Sequence, residues 1–395
     1  MRSNPSSDPA RIPVIAAAFR TPIGRINGSL AAIEPASLAV PLIRRILAET
    51  GIAPEAVDDV ILGNAANSAG NLARLAALEA GLPVSVPGLT VDRQCGSGLE
   101  AIALAARLVQ AGAGDIYLAG GTESTSRAHL RFRPPLAPGG VPEPVRRARM
   151  APDAIGDPDM GIAAENVAAH AGIGRERQDA FALESHRRAV ATQRAGRFVQ
   201  EIVPVEAPAG IVLEDECPRE NTSLEKLGAL KPVFSPDGTV TAGNACPVND
   251  GAALVLVTSR AEAERRGLPF LLEVVDSAIA GVEPALLGLG PVPAMGKLVA
   301  RNPGLDAPAV PFIEFNEAFA SQVLASLDAL GIDPAAVNRE GGALALGHPY
   351  GASGAILVTR LFAQMRHAEP GTQALAMMGI GGGMGIATLF RKTGF

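Results

Sequence analysis

Two stretches of this chain run in parallel: CGSGLEAIALAARLVQAGAGDIYLAGG, from Cys95 to Gly121, and GASGAILVTRLFAQMRHAEPGTQALAMMGIGG, from Gly351 to Gly382. Each opens on a small-x-Ser-Gly step, runs through an apolar helical pattern and a turn, and ends in a buried strand followed by glycines. Recurrence at this level reads as a duplicated βα unit. Two such units predict facing sheets with their helices packed between them.

Outward from these units, short apolar runs alternate with amphipathic helices, the mark of an α/β sheet covered by helices. RIPVIAAAFRTP (Arg11–Pro22) and VDDVILGNA (Val57–Ala65) read as strands. SLAVPLIRRILAETG reads as a helix closing at Gly51, and ARLAALEAGLP as one stopped by Gly81 and Pro83. From Ser126 to Thr239 the alternation breaks into a Pro-, Gly- and Arg-rich segment with two helical patterns. The expected division is therefore a core domain from residues 10–125 and 240–266, an inserted lobe at 126–239, and a second core domain at 267–395.

With 395 residues, 48% of them hydrophobic, the chain can bury a large core of more than one unit. Trp is absent and Tyr occurs twice, so small aliphatic residues carry the packing. A net charge of −6 without a long basic run gives no support to a nucleic-acid or membrane-surface role. The one basic concentration, His129 to Met150, reads as a solvated loop or as a contact for an anionic ligand or a neighbouring subunit. Three scattered cysteines, Cys95, Cys217 and Cys246, fit neither a zinc site nor a disulfide framework. The opening residues lack the apolar run of a signal peptide and no stretch resembles a membrane span, so a cytoplasmic protein is expected.

Cys95 would stand where a strand ends and a helix begins, a position that favours thiolate over thiol. Gly96, Ser97 and Gly98 would leave room for a substrate; an inert buried thiol is the alternative. His348, in GGALALGHPYGASG, lies among glycines just before a helix and reads as a general base or as a structural imidazole. FIEFNEAFASQ sets Asn316 and Glu317 at a helix start, where an N-cap is the plain reading of Asn316. MMGIGGGMGIA presents consecutive backbone amides suited to an oxyanion hole, or to close sheet packing.

In this order, VDRQCGSG, MGIAAENVA, GTVTAGNA…NDGAA, LGLGPVPA, NEAFA, GGALALGHPYGASG and GIGGGMG resemble the thiolase family from about Pro13 to Leu389. The resemblance implies two βαβαβαββ halves in a five-layer αβαβα sandwich with an inserted loop domain, assembled as a homodimer or homotetramer. It implies CoA-dependent cleavage of 3-oxoacyl-CoA or the reverse Claisen condensation, with acyl-CoA and CoA as substrates and no permanently bound cofactor or metal. Cys95 would then carry the acyl group and His348 activate it. Asn316 would hold a water in one oxyanion hole, and the N–H groups of Cys95 and Gly381 would form another. Met160, Cys246 and Phe319 would line the pantetheine arm, and Arg219 and Lys226 would meet the phosphorylated ADP end.

One residue departs from the family pattern. The glycine-rich loop normally reads C-x-G-G-G, and here Gly379 stands in place of the cysteine that moves the proton. Cys246, Glu317 and an ordered water are the candidate substitutes. A transferase handing the acyl group to a non-CoA acceptor, and a non-catalytic acyl-CoA-binding subunit, are the alternative readings.

Overall fold

A computed structural model describes residues 8–67, 70–269 and 272–394. Its centre is a mixed sheet built from strands β1 (Pro13–Arg20), β2 (Asp59–Gly63), β3 (Gly88–Val91), β4 (Ile116–Ser124), β5 (Asn249–Ser259), β6 (Leu272–Gly281), β7 (Phe312–Phe315), β8 (Gln373–Ile380) and β9 (Met384–Lys392). Their order is β7-β8-β9-β6-β1-β5-β4-β2-β3, and a two-residue strand, Gly24–Arg25, pairs with β5. The halves meet where β1 pairs β6 through Val14↔Glu273 and Ile15↔Leu272. Outward from that seam each half repeats one scheme: two antiparallel pairings, then parallel ones. The duplication read from sequence is thus a duplication of topology.

The principal helices are α1 (Pro35–Thr50), α2 (Leu72–Ala80), α3 (Ser97–Gln110), α4 (Met160–Ala171), α5 (Arg175–Arg194), α6 (Pro291–Arg301), α7 (Ala320–Leu330) and α8 (Tyr350–Gln364). One outer layer is α1 and α2. In α1, Leu38, Leu42, Ile43 and Ile46 recur at helical spacing on a buried face, and Gly51 at φ +64° ends the helix in the left-handed region. These residues join Val14, Leu62 and Leu254 of the sheet. The opposite outer layer is α6 and α7, where Met295, Leu298 and Val323 meet Phe315, Met377 and Leu389.

Between the two half-sheets lie α3 and α8. Leu99, Ile102, Ala355 and Val358 share one core with Ile61, Ala119 and Val255 on one side and Met378, Ile386 and Phe390 on the other. Helices buried on every side must be apolar all round, which is why both repeats are rich in Ala, Leu, Val and Ile. The result is five layers, α–β–α–β–α.

The segment between β4 and β5 carries α4, α5, two short hairpins (Arg131–Arg133 with Glu143–Val145, Val205–Ala207 with Gly210–Val212) and the helix Leu224–Gly228. Among the described residues no helix is long and apolar enough to cross a membrane.

Candidate active site

Cys95 occupies a tight turn between β3 and α3. Gln94 is in the left-handed region at φ +46°, where a non-glycine residue is uncommon. The turn is held by Gln94 N donating to Asp92 Oδ1 (2.7 Å), Ser97 Oγ donating to the Gln94 carbonyl (2.6 Å) and Arg93 N donating to Ser97 Oγ (2.8 Å). Burial pushes the Cys95 thiol up to about 11, against the N–H groups of Gly381 and of Cys95 itself, which favour the thiolate. The helix start does not decide the protonation state, as the sequence suggested; desolvation does.

The glycines around Cys95 also have a different reason from the expected one. A Cβ on Gly96 would fall 2.4 Å from Cδ1 of Ile380, and one on Gly98 would fall 2.7 Å from the Gly351 carbonyl. Their space is filled by protein, not reserved for substrate. The repeat explains this: Gly354, the equivalent of Gly98, would bring its Cβ to 2.4 Å from Leu99 N. Each helix start is carved to admit the other.

His348 is buried at the start of α8. Its Nδ1 is 2.5 Å from Ser353 Oγ, which donates onward to the Pro349 carbonyl at 3.1 Å. We assign the serine proton to that carbonyl, which puts the imidazole proton on Nδ1 and leaves Nε2 its lone pair. Nε2 is buried without a hydrogen bond among the described residues. Burial lowers the imidazole to about 4, so it is neutral at neutral pH. Asn249 fixes the backbone: its Oδ1 accepts from His348 N (2.9 Å), and its Nδ2 donates to the Gly24 carbonyl and to Cys217 Sγ (3.2 Å). Cys217 is a prop for this asparagine.

Asn316 is not an N-cap. α7 begins four residues later, after Phe319, and Asn316 lies in the loop with its N donating to Met377 O and its Nδ2 buried without a partner among the described residues. With Ser353 and Gly347 it lines a cavity of about 20 Å³. Glu317, by contrast, is fully engaged by Ser185 Oγ (2.7 Å), Asn338 Nδ2 (2.7 Å) and Leu344 N (3.0 Å). It supports the loop and leaves no lone oxygen for a substrate.

Cys246 lies between the two catalytic-looking loops. Its N donates to Ala318 O, and its neighbours Ala245 and Val248 bridge to Phe319 and His348. Burial raises its thiol, and the nearby Cys95 sulfur raises it further. Gly379 is the penultimate residue of β8; a Cβ there would lie 3.3 Å from Gln322 Nε2. Gly381 follows, close to Met150 and Met160, whose sulfurs would be 2.8 and 3.7 Å from an added Cβ.

From Cys246 a cleft of about 290 Å³ runs past Phe234 to His186 and Arg219. There it adjoins a second, of about 320 Å³, lined by Arg187, Arg194, Arg219 and Thr222. Phe319 packs edge-on to Phe234 at 6.2 Å between ring centroids. A larger cleft of about 470 Å³, lined by Glu273, Arg301 and Arg391 among others, holds none of the candidate residues.

The thiolase N-terminal domain family matches residues 13–261 and the thiolase C-terminal domain family residues 268–392. The chain belongs to the thiolase family. It is 46% identical over 382 residues to a Staphylococcus epidermidis protein, with 96% of this chain and 98% of that one aligned. A Staphylococcus aureus protein is 44% identical over 381 residues, covering 96% and 99%. Both bear the provisional name acetyl-CoA C-acetyltransferase VraB. Among solved structures, the Bacillus anthracis acetyl-CoA acetyltransferase superposes with a TM-score of 0.88 at 36% identity, over 98% of this chain and all of that one.

For this thiolase-family acyltransferase the geometry sorts the expected binding residues. Met160, Cys246, Phe319 and Arg219 gather along the site and its clefts. Lys226 does not line them; its Nζ donates to the Asn221 carbonyl at 2.6 Å. The basic stretch is mostly exposed, and two of its arginines pair with acids just beyond it, Arg147 with Asp157 and Asp159, Arg149 with Asp153. Sequence reasoning missed His186. It is on α5 but buried, accepts from Arg219 N at Nδ1 (3.1 Å), and is lowered to about 4 by burial and by Arg219. Phe234 and Tyr350 were also passed over. The signal for Tyr350 was available, since it is one of two tyrosines and sits inside the GHP run.

Proposed function

We propose that the chain transfers acyl groups between CoA thioesters through a thioester on Cys95, cleaving 3-oxoacyl-CoA with CoA or running the reverse condensation. The observation that carries this reading is a protonated thiol at Cys95 together with a neutral imidazole at His348 whose Nε2 has no partner among the described residues. Nε2 takes the thiol proton as sulfur attacks the carbonyl carbon. The N–H groups of Gly381 and Cys95 face the sulfur and suit the oxygen of an acyl-Cys95, and the free Nδ2 of Asn316 suits the oxygen that His348 faces. Each such donor contributes typically about 3–4 kcal/mol to the transition state.

The two adjoining clefts suit CoA, whose apolar arm would run beside Phe234 and whose phosphates would lie near Arg187, Arg194 and Arg219. Guanidinium groups match phosphate oxygens in charge and geometry. No resident cofactor is required by this chemistry.

A second reading is favoured by Gly379, which has no side chain to carry a proton: the acyl group on Cys95 passes to an acceptor other than CoA. One experiment tests both. Purified protein is offered 3-oxoacyl-CoA thioesters with free CoA, and loss of the 3-oxoacyl thioester is followed. Cleavage that disappears in Cys95→Ala is the expected result. An acylated Cys95, seen by intact mass, without CoA-dependent cleavage selects the second reading. No adduct and no cleavage from folded protein overturns both.

A further inference from the structure

The cleft that leads from Cys246 and the one beside it have two lining residues in common, His186 and Arg219. Arg219 brings charge to that junction. His186 brings a directed N–H. Along α5, Leu183, His186, Arg187, Val190 and Arg194 recur at helical spacing and line the outer cleft, so one face of the helix is its wall. His186 stands where that face passes into the packed side of the helix, with 4% of its surface exposed.

A backbone N–H can only donate, so the bond from Arg219 N to His186 Nδ1 at 3.1 Å fixes Nδ1 as an acceptor. The proton of the neutral ring is therefore on Nε2. That N–H has no hydrogen bond among the described residues and, unlike Nε2 of His348, is not sealed in the interior. Burial and the neighbouring Arg219 charge both keep the ring neutral. A histidine that served packing alone would engage both nitrogens within the protein. Here one holds Arg219 N, and the other is left to the junction of the clefts.

The charge of the outer cleft is carried by Arg187, Arg194 and Arg219, whose guanidinium groups suit phosphates. An uncharged N–H at the cleft that holds Phe234 suits an uncharged acceptor instead. The arm of CoA carries amide carbonyls among its methylenes. A carbonyl entering an apolar cleft must regain the hydrogen bond it gives up to water.

We propose that His186 is a substrate-binding residue of this chain, its Nε2–H donating to an amide carbonyl of the CoA arm just inside the phosphates. The inference rests on the CoA reading above. One imidazole then does two things: Nδ1 holds the backbone of Arg219, and Nε2 takes the arm.

The test is calorimetric titration of CoA, 4′-phosphopantetheine and 3′-phospho-ADP into the unaltered chain, His186→Asn and His186→Gln, which needs no turnover. The oxygen of Asn falls near the place of Nδ1 and keeps an acceptor for Arg219 N. The amide nitrogen of Gln falls near that of Nε2 and keeps the donor. In His186→Asn the Kd is expected to rise roughly 3–10-fold for CoA and phosphopantetheine, the usual worth of one neutral hydrogen bond. It should hold for 3′-phospho-ADP, which has no arm. KM for acyl-CoA should rise in proportion, and by more than kcat falls. His186→Gln is expected to lose less affinity for phosphopantetheine than His186→Asn, even with the lower urea midpoint of the two. CoA binding in His186→Asn equal to that of the unaltered chain overturns the proposal. So does an equal loss for 3′-phospho-ADP, which would make His186 a prop for Arg219 alone. An unaltered chain that binds no CoA defeats the CoA reading and this inference together. One that shows the arm-dependent loss in His186→Asn yet never acylates Cys95 defeats acyl transfer and leaves this inference standing.

Discussion

At the scale of a residue, Cys95 is contested between a helix start with two N–H groups, which favour the thiolate, and burial, which favours the thiol. Burial prevails and holds the group at about 11. The thiolate fraction then grows about tenfold per pH unit up to that value, because only the thiolate is nucleophilic. Alkylation of Cys95 by iodoacetamide, read by peptide mass spectrometry, is expected to keep accelerating from neutral pH to beyond pH 10. A plateau below pH 8 contradicts the burial argument. Asn316 offers the converse separation of function from stability. Its buried Nδ2 has no partner among the described residues, so Asn316→Ala removes a group that burial penalises without a hydrogen bond in return. The melting temperature should hold or rise, while acyl transfer falls roughly 10²–10³-fold, the usual loss for one oxyanion donor. Equal loss of both would make Asn316 structural.

At the scale of elements, the molecule turns on the crossing of α3 and α8. Their starts interlock through Gly98 against the Gly351 carbonyl and Gly354 against Leu99 N, and both helices carry a candidate catalytic group at that end. The repeat that exposes this relation is legible in the sequence, since both copies keep small-x-Ser-Gly. The reason for the glycines is not. Spacing along a chain says nothing about which backbone lies across from it, and so Gly96 and Gly98 read as substrate room. Asn316 failed in the same way: N-cap residue types are local, but the loop from β7 to α7 is set by Met377 and by the support of Glu317. Cys95 and His348 were legible because reactive groups at strand-to-helix junctions follow from local pattern. His186 was not, because its role depends on Arg219, distant in sequence. Gly98→Ala and Gly354→Ala should each destabilise by about 1–3 kcal/mol, as expected when an added methyl meets unyielding backbone. Urea midpoints measure this, and an unchanged midpoint for either variant would mean that the helices can part freely.

At the scale of the whole molecule, the segment between β4 and β5 must stay registered on a core to which it adds the Arg219 cleft. The register comes from a buried ion network. Arg20 of β1 donates to Asp215 Oδ1 and Oδ2 (2.7 and 2.9 Å) and to Glu201 (2.8 Å), and Arg360 of α8 donates to Glu201 (2.8 Å) and Glu340 (2.6 Å). Phe198 packs against both guanidinium groups, at 5.2 and 4.5 Å. Burial opposes the charge on Arg360, yet Glu201, Glu314 and Glu340 more than offset it and raise its pKa. The network thus joins the two core halves to the intervening segment, through pairs 181, 195 and 159 residues apart. Asp215 lies four positions before Arg219, and Glu216 beside it accepts from Arg25 N and Ser29 N. Loss of the Arg20 charge strands Asp215 in a dry interior and leaves Glu201 to Arg360 alone, which typically costs about 3–5 kcal/mol. Arg20→Met keeps the volume and removes the charge, so its urea midpoint should fall accordingly. Because Asp215 anchors the strip that carries Arg219, the KM for acyl-CoA should rise at denaturant concentrations where kcat is still intact. A variant that unfolds with KM constant to the end would show that the cleft is held by other contacts and that the network serves the core alone.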